Sequence, residues 1–265
     1  MKVVRVRRYP VKSMLGEDIS SAETGYDGIE GDRRMALIAT ATGKVASAKT
    51  PRLWRDLLTY TAEGDTITFP DGTTAAAGHP DIDARLSAAL GQPVTLTAVV
   101  PAGATLDRSR PEQVLRDGLT AITESDIVTL PGRGFRDFAP VHLITPSTLA
   151  AVANAEPERY RPNIVVQTPG EGFTENDWLG KEVHVGADLV LEVIARTGRC
   201  AVPTLQHGVL PRNVAALKIP AERNRLSPSG GLPAEPCAGV YARVLVPGGI
   251  RLGDEVRLGS GTIPA

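Results

Sequence analysis

Cys200 is one of only two cysteines in the chain, and it directly follows an arginine at the end of the segment DLVLEVIARTGRC. A neighbouring cation favours the thiolate, the form of cysteine that attacks electrophiles and binds metals. Free cysteine is also commonly buried as a small apolar residue. Thr204 and His207 follow, but a Cys-His hydrolase needs the imidazole within hydrogen-bond reach of the sulfur, which spacing alone does not establish. The local sequence therefore leaves apolar filler, nucleophile and metal ligand open for Cys200.

The second cysteine, Cys237, lies in AEPCAGVYARV without a cation beside it, which indicates a structural residue. The start of the chain lacks the features of an export signal, so we expect reduced, unpaired thiols and a cytoplasmic location. The cysteines and the histidines at 79, 142, 184 and 207 form no CxxC or HxxxH spacing, which argues against a four-ligand zinc site. Walker, GxGxxG and GxSxG motifs are also absent from the sequence.

Four further polar clusters follow or precede predicted strands, where loops can present side chains to a ligand. They are YPVKSM with Lys12 and Ser13, GDRRMALI with Arg33, SAKTPRL with Lys49 and Arg52, and RYRPNIVV with Arg161 and Asn163. An ammonium beside a hydroxyl can bind an anion, and a guanidinium near a carboxamide suits a phosphate or a planar polar heterocycle. Taken singly, each of the first three clusters is better explained as a set of charged residues in a solvent-exposed loop.

The adjacent arginines of GDRRMALI differ in what they can reach. Strand alternation predicts that Arg33 and Arg34 point to opposite faces, so that at most one of them contributes to a shared site.

Composition limits the kind of ligand and partner. With 42% hydrophobic and 22% charged residues, the chain is typical of a soluble globular protein. No apolar stretch approaches the roughly 20 residues that a membrane helix needs. A net charge of -1 gives no electrostatic case for nucleic-acid or membrane-surface binding. An anionic ligand must therefore meet a local cluster of cations.

Short strands dominate the predicted secondary structure of the first half. Alternation of apolar and charged residues in VVRVRRYPV predicts a strand that Pro10 limits. Residues 81 to 91 predict a helix with Asp81 as its cap and Gly91 as its stop. Glycine-containing turns separate the other strands, which are RRMALIAT, TGKVAS, LLTYTAE, GDTITFPDG, GTTAAAG and PVTLTAVV.

Residues 101 to 140 contain four prolines and no sustained periodicity, which predicts a linker or active-site loop that includes a domain boundary. The predicted domains are residues 1–115 and 116–265. In the second domain a strand ends at Thr145 before a short helix, and another strand begins near Asn163. The remaining predicted elements are a hairpin in DWLGKEVHVG and strands in DLVLEVIARTG, AGVYARVLVPG, GIRLG and DEVRLG. We expect a mainly β fold with a few short helices, of the α+β class, built from two β-barrel domains.

Seven motifs in this order resemble a MOSC protein preceded by its N-terminal β-barrel domain. They are YPVKSM, GDRRMALI, SAKTPRL, RYRPNIVV, NDWLGKEVHVG, ARTGRC and GVYARVLVPGGIRLGDEV. The resemblance covers nearly the whole chain. Within the family, the chain is similar to the mitochondrial amidoxime reducing component and its bacterial homologues. It implies a molybdenum cofactor, with Cys200 as the metal ligand and Arg199 tuning the thiolate or the oxo group. The implied pterin and phosphate contacts are Lys12, Ser13, Arg33, Lys49, Arg52, Thr145, Arg161 and Asn163.

The resemblance also implies a reaction, the reduction of N-hydroxylated small molecules at a cysteine-ligated molybdenum centre. Since the sequence carries no flavin, haem or iron-sulfur signature, a separate redox protein must supply electrons. We expect a monomer. Two alternatives stay open, a sulfur carrier that uses a Cys200 persulfide and a cofactor carrier without turnover. Relatives often carry a further cysteine where this chain has Thr197, and residues 205 to 226 also depart from the family pattern.

Overall fold

The structure is a computed structural model that describes residues 1–130 and 134–259. Strands make up most of its regular elements. In the first half these are β1 (Lys2–Arg8), β2 (Glu17–Ile19), β3 (Ser21–Gly25), β4 (Gly28–Ile29), β5 (Ala36–Ala39), α1 (Pro51–Trp54), β6 (Thr61–Glu63), β7 (Thr66–Thr68), β8 (Thr74–Ala76), α2 (Ile82–Leu90), β9 (Val94–Thr97), β10 (Thr105–Ser109), α3 (Pro111–Asp117) and β11 (Ser125–Thr129).

The second half continues with strands and short helices. They are β12 (Val141–Ile144), α4 (Pro146–Ala151), α5 (Pro157–Tyr160), β13 (Ile164–Gln167), β14 (Glu182–Val185), β15 (Leu189–Gly198), α6 (Ala215–Arg223), β16 (Arg225–Leu226), β17 (Glu235–Val246), β18 (Gly248–Arg251) and β19 (Val256–Leu258). The expected α+β class with few short helices is confirmed. Among the described residues, no helix is long and apolar enough to cross a bilayer.

A nine-stranded sheet organises the second half of the chain and includes the first strand. Its path runs β19, β14, β15, β17, β12, β13, β1, β2, and β16 pairs with β17. An antiparallel bridge joins Lys2 to Glu255, next to β19, so the two ends of the path approach each other.

The predicted strand forms as β1, but the predicted alternation of Val4 and Val6 with Arg5 and Arg7 is wrong. A bulge between Val3 and Arg5 shifts the register, so Val3 and Val6 enter the aliphatic core, whereas Val4 is exposed and Arg7 is buried.

Smaller sheets build the rest of the first half. They have the paths β18-β3-β4, β5-β9, β6-β7-β8 and β10-β11. A second apolar core, which includes Met14, Leu57, Ile67 and Leu86, lies among them. Because β18 comes from the end of the chain, strand pairing ties the two halves together. The predicted division at residues 115 and 116 stays a prediction.

Three predicted elements differ from the structure. In TGKVAS only Val45 forms a bridge, with Ile38, and the segment otherwise contains no strand or helix. Leu57 and Leu58 are buried on a 3-10 helix and not on a strand. In DWLGKEVHVG only Glu182–Val185 is a strand, and its hairpin partner is β15.

Residues 101 to 140 form more than a linker. They contain β10, α3 and β11, and β10 pairs with β11 over five residue pairs. Pro111 occupies the first turn of α3, where the missing amide proton costs no helical hydrogen bond. Proline there begins an element instead of breaking one, which is why counting prolines predicted a loop.

Candidate functional site

A cavity of about 290 Å³ lies where strand ends of the large sheet meet loops of the first half. Eight cations line it: Lys12, Arg33, Lys49, Arg108, Arg136, Arg161, Arg196 and Arg199. Among the described lining residues there are two carboxylates, Asp137 and Glu235. In a chain whose net charge is -1, this excess of positive charge is local. The cavity is therefore built to attract an anionic ligand.

Cys200 lies at the end of β15 and lines this cavity half-buried. One side of it packs against a small aliphatic cluster that includes Ala48, Leu58 and Val202. On the cavity side, Arg108 faces both Cys200 and Glu235. Burial lowers the pKa of Arg108, but these two groups raise it, and the net pKa is raised. The sulfur therefore lies between an apolar floor and a guanidinium.

The two arginines before Cys200 reach the same cavity by different routes. Arg199 is 7% exposed, donates from Nη2 to the Tyr160 carbonyl at 3.0 Å and lies 5.1 Å above the Tyr160 ring. Arg196 donates from Nη1 to the Ser227 carbonyl at 3.2 Å. The Nε atoms of both arginines are buried and have no partner among the described residues. Each guanidinium is therefore held in place by one hydrogen bond, and its Nε–H remains available to donate another.

Lys12 and Lys49 form the opposite end of the site around one carboxylate. Lys12 is 4% exposed and donates to the Phe135 carbonyl at 2.8 Å and to Asp137 at 2.5 Å. Lys49 reaches the other oxygen of Asp137 at 3.1 Å. Burial lowers the pKa of Lys12 to about 8, although Asp137 raises it. Burial raises the pKa of Asp137, but the two ammonium groups bring it well below its usual range.

The chain turns sharply to place Ser13 beside Lys12. Ser13 has a φ of 65°, in the left-handed region, and its hydroxyl accepts a hydrogen bond from the Ala48 amide at 3.1 Å. This bond ties the YPVKSM segment to the segment that carries Lys49. The sequence separates the two by more than thirty residues, and the fold joins them.

Arg33 and Arg161 stack on the ring of Tyr9, at 4.8 and 4.3 Å. Arg33 donates to Asp32 at 2.6 Å and to the Arg161 carbonyl at 3.2 Å. Arg161 donates from Nη1 to the Met14 carbonyl at 2.7 Å, whereas its buried Nη2 has no partner among the described residues. Burial, and next the charge of Arg33, lower the pKa of Arg161 to about 10. An anion placed here would relieve this repulsion between like charges.

Asn163 lines the cavity at the start of β13 and connects it to the sheet. Its Oδ1 accepts from the His142 amide at 3.1 Å, and its Nδ2 donates to the Arg7 carbonyl at 3.3 Å. Most of its hydrogen-bonding capacity is therefore used within the protein, which makes Asn163 a residue that shapes the wall.

The structure does not bring two of the predicted contacts to the cavity. Arg52 is exposed on α1. Thr145 is fully buried as the N-cap of α4, where its hydroxyl accepts from the Thr148 amide at 3.2 Å and donates to Glu175 at 2.6 Å. A threonine between a strand and a proline at the first helical position is the usual way to cap a helix. The other predicted site residues, which are Lys12, Ser13, Arg33, Lys49, Arg161, Asn163, Arg199 and Cys200, all line the cavity.

Arg33 and Arg34 do diverge, but for a different reason than strand alternation. Both precede β5 in a turn, where Arg33 has a φ of 47° and turns into the cavity. Arg34 instead pairs with Asp65 on the surface.

Several lining residues were missed by the sequence analysis. Arg196 carried a usable signal, because alternation along β15 puts it on the face of Gly198 and Cys200. Arg108, Arg136 and Asp137 carried none, since they come from the segment without periodicity. A row of rings was also missed: Phe138 lies 5.5 Å from Tyr241, which lies 5.3 Å from His142. Phe138 is 55% exposed, so this aromatic row runs from the rim of the cavity to its interior.

Hydrogen-bond donors without a protein partner show whether the cavity suits the implied cofactor, which is an organic phosphate that carries a metal. Nη2 of Arg161 and the Nε atoms of Arg196 and Arg199 are buried donors without a partner among the described residues. Buried polar groups are normally satisfied, so these atoms point to a ligand with several acceptors. The described residues form no group of three or more His, Cys, Asp or Glu side chains able to hold a metal. A metal here would therefore take Cys200 from the protein and its other ligands from the organic group, and the residues present fit that arrangement.

Comparisons with known proteins agree with the resemblance seen in the sequence. The MOSC N-terminal beta barrel domain matches residues 1–108, and the MOSC domain matches residues 132–257. A search of curated protein sequences found none that matches the chain. A crystal structure of the YUAD protein from Bacillus subtilis superposes with a TM-score of 0.46 at 10% identity, covering 97% of this chain and 94% of that one. The two domain matches together span nearly the whole chain, which is therefore a MOSC domain protein with a MOSC N-terminal beta barrel domain.

Proposed function

We propose that this MOSC protein holds a molybdenum cofactor in the cavity and reduces N-hydroxylated small molecules there. One observation carries the proposal: Cys200 is half-buried on an apolar floor and faces a cavity lined by eight cations. A single soft thiolate in a positively charged cavity suits a redox metal whose other ligands belong to an anionic organic group. The similarity of the motifs to those of amidoxime reducing proteins supports the choice of reaction.

The residues of the cavity divide into a holding end and a reacting end. Lys12 and Lys49, with Arg33 and Arg161, would hold the phosphate and pterin. At the other end Cys200 would ligate the metal. When bound, the cofactor supplies a two-electron redox centre that the protein's own side chains cannot provide.

The chain's own residues set the conditions at the reacting end. Arg199, fixed by the Tyr160 carbonyl, brings a positive charge into the cavity from the position next to Cys200 in the chain. Burial, and next the charge of Arg199, lower the pKa of His142 well below its ordinary value, so His142 is a neutral imidazole at pH 7. The exposed ring of Phe138 at the rim offers an apolar surface to the body of a substrate.

Reduction of an N-hydroxylated compound breaks one N–O bond, consumes two electrons and two protons, and releases water. The electrons come from a separate redox protein in this proposal. We also propose that the protein works as a monomer in the cytoplasm. These proposals depend on the reaction assigned to the cavity.

The test is to produce the protein in a host that makes the cofactor, and to measure molybdenum content and benzamidoxime reduction by reduced viologen. We expect molybdenum in the wild type and in Cys237→Ala, with viologen oxidation that depends on benzamidoxime. Cys200→Ala should be inactive under the same conditions. Wild-type protein that is free of metal and inactive would contradict the proposal. If that protein gained a cyanide-labile sulfur on Cys200 after incubation with a cysteine desulfurase, which transfers sulfane sulfur from its own persulfide to the Cys200 thiol, the persulfide carrier would replace the reductase as the proposed function.

A further inference from the structure

Asp137 occupies the space between the two lysines of the cavity. Its Oδ1 lies 2.5 Å from Lys12 Nζ, and its Oδ2 lies 3.1 Å from Lys49 Nζ. Each oxygen therefore accepts from a different ammonium. Two lysines that converge on the two oxygens of one small anion form the arrangement that a phosphate or sulfate group would also use.

The carboxylate satisfies charges that would otherwise be costly to bury. Lys12 is nearly inaccessible at 4% exposure, and an ammonium without a counter-ion at such a depth is strongly disfavoured. Asp137 itself keeps 31% side-chain exposure, so one side of it is open to the solvent. The lysine is buried and fixed, whereas the carboxylate is the member of the pair with room to leave.

Asp137 lies on the segment that leads into β12, whereas the two lysines are carried by segments of the first half of the chain. Lys12 follows β1 and is also held by the Phe135 carbonyl at 2.8 Å. Lys49 lies just before α1. A shift of the Asp137 side chain alone would therefore leave the Lys12 ammonium held by the Phe135 carbonyl.

We propose that Asp137 stands in for the anionic group of the ligand, and that a phosphate binds between Lys12 and Lys49 by displacing this carboxylate. Identifying that phosphate as the one on a pterin rests on the proposed function. The subsite itself does not, because it is tested with a simple anion on protein free of molybdenum. The ion pairs of Asp137 with Lys12 and Lys49 stabilise the two buried ammonium groups, and they therefore weaken the affinity of the cavity for the anion.

The first test compares sulfate binding to wild-type protein and Asp137→Asn by calorimetry at pH 6, below the Lys12 pKa of about 8, so that Lys12 is protonated. Removing a charge that competes for the same two ammonium groups should tighten sulfate binding about tenfold or more. Asp137→Glu keeps a competing carboxylate and should stay within about threefold of the wild type. Asp107→Asn is the matched control, because Asp107 pairs with Lys44 at 2.7 Å at a similar exposure of 32% and does not line the cavity. It should leave sulfate affinity unchanged.

A second test needs only the wild-type protein. The charged groups that face Lys12 are Asp137, Lys49 and Arg33. Sulfate carries more negative charge than the carboxylate it replaces, so binding raises the pKa of Lys12 above about 8. Binding at pH 8 should therefore take up a fraction of a proton, measured as a dependence of the binding enthalpy on the ionisation enthalpy of the buffer. Sulfate does not titrate in this range, and displaced Asp137 stays ionised.

Unchanged or weaker sulfate binding by Asp137→Asn would overturn the proposal and show that Asp137 supports the subsite. If that variant does not fold, absence of proton uptake by the wild type at pH 8 overturns it equally. Neither result depends on metal content or on turnover. The proposed subsite can therefore be disproved while the proposed reductase function stands, and the reductase function can be disproved while the subsite stands.

Discussion

Cys200 follows β15 by two residues and Cys237 lies in the neighbouring strand β17, yet the surroundings of the two cysteines are opposite. Gly198 of β15 pairs with Cys237 of β17, so the two cysteines lie close along the same strand ends. Cys237 is fully buried, and its Sγ donates to the carbonyls of Leu226 and Glu235 at 3.5 and 3.3 Å. Cys200 is half-buried and faces cations.

The difference shows what each position does to the thiol. Burial raises the pKa of Cys237, which keeps it a neutral thiol inside the protein. The cavity around Cys200 supplies positive charge and an opening for a ligand. The two cysteines do not pair, as the sequence analysis predicted. Exposure and charge, and not residue type, separate the candidate ligand from the structural residue.

The largest expected effect separates the two cysteines directly. Cys200→Ala should lower benzamidoxime reduction by about a hundredfold or more, since it removes the proposed metal ligand. Cys237→Ala should keep the activity and lose about 1 to 2 kcal/mol of unfolding free energy, because it removes a buried sulfur. Steady-state kinetics and denaturant unfolding measure both. Equal losses of activity in the two variants would remove the distinction.

A smaller effect on anion binding is expected from removing a cavity cation that keeps a hydrogen-bond donor without a protein partner. Arg161→Met removes a guanidinium whose Nη2 has no partner among the described residues, so sulfate binding should weaken about tenfold. Lys44→Met removes the same charge from a pair with Asp107 outside the cavity and should have no effect. Calorimetric titration measures both affinities. Equal weakening by the two variants would mean that net charge, and not the site, governs binding.

The next prediction concerns Thr145, a buried residue that does not line the cavity and should affect stability but not ligand binding. Thr145→Val removes the hydroxyl that caps α4 and donates to Glu175, and it should lower the unfolding free energy by about 1 to 2 kcal/mol. Sulfate affinity and cofactor content should not change. A fall in cofactor content at undiminished stability would show instead that Thr145 contacts the cofactor.

The smallest effect concerns Arg52, which is exposed on α1. Arg52→Gln should change the unfolding free energy by less than about 0.5 kcal/mol and leave the cofactor content at the wild-type level. Denaturant unfolding and metal analysis measure these quantities. Loss of the cofactor in this variant would restore Arg52 to the set of predicted contacts.

The sequence predicted the parts of the site that local pattern controls. Alternation identified the strand β15 that leads to Cys200, because a sheet with one buried face imposes a period of two. It also located β1, but there a bulge exposes Val4 and buries Arg7. Gly91 was identified as a helix stop, and it does adopt a φ of 68° after α2. Thr145 was placed correctly after a strand, but its type and position suit a helix cap as well as a ligand contact, and sequence alone does not distinguish them.

The other end of the cavity could not be predicted, because it depends on non-local contacts. Asp137 meets Lys12 across 125 positions of sequence, and neither residue lies in a periodic segment. Arg108 faces Cys200 because β10 brings it to the start of β17, where it pairs with Glu235 at 3.5 Å. Such contacts leave no trace in spacing, so the count and arrangement of the eight cations became visible only in the structure.

The most direct test of the central claim is X-ray absorption at the molybdenum edge of cofactor-loaded wild type, Cys200→Ala and Cys237→Ala. If Cys200 ligates the metal, the Cys200→Ala spectrum should show one sulfur neighbour fewer than the wild type, and the Cys237→Ala spectrum should match the wild type. The same number of sulfur neighbours in all three proteins would contradict the assignment of Cys200 as the ligand.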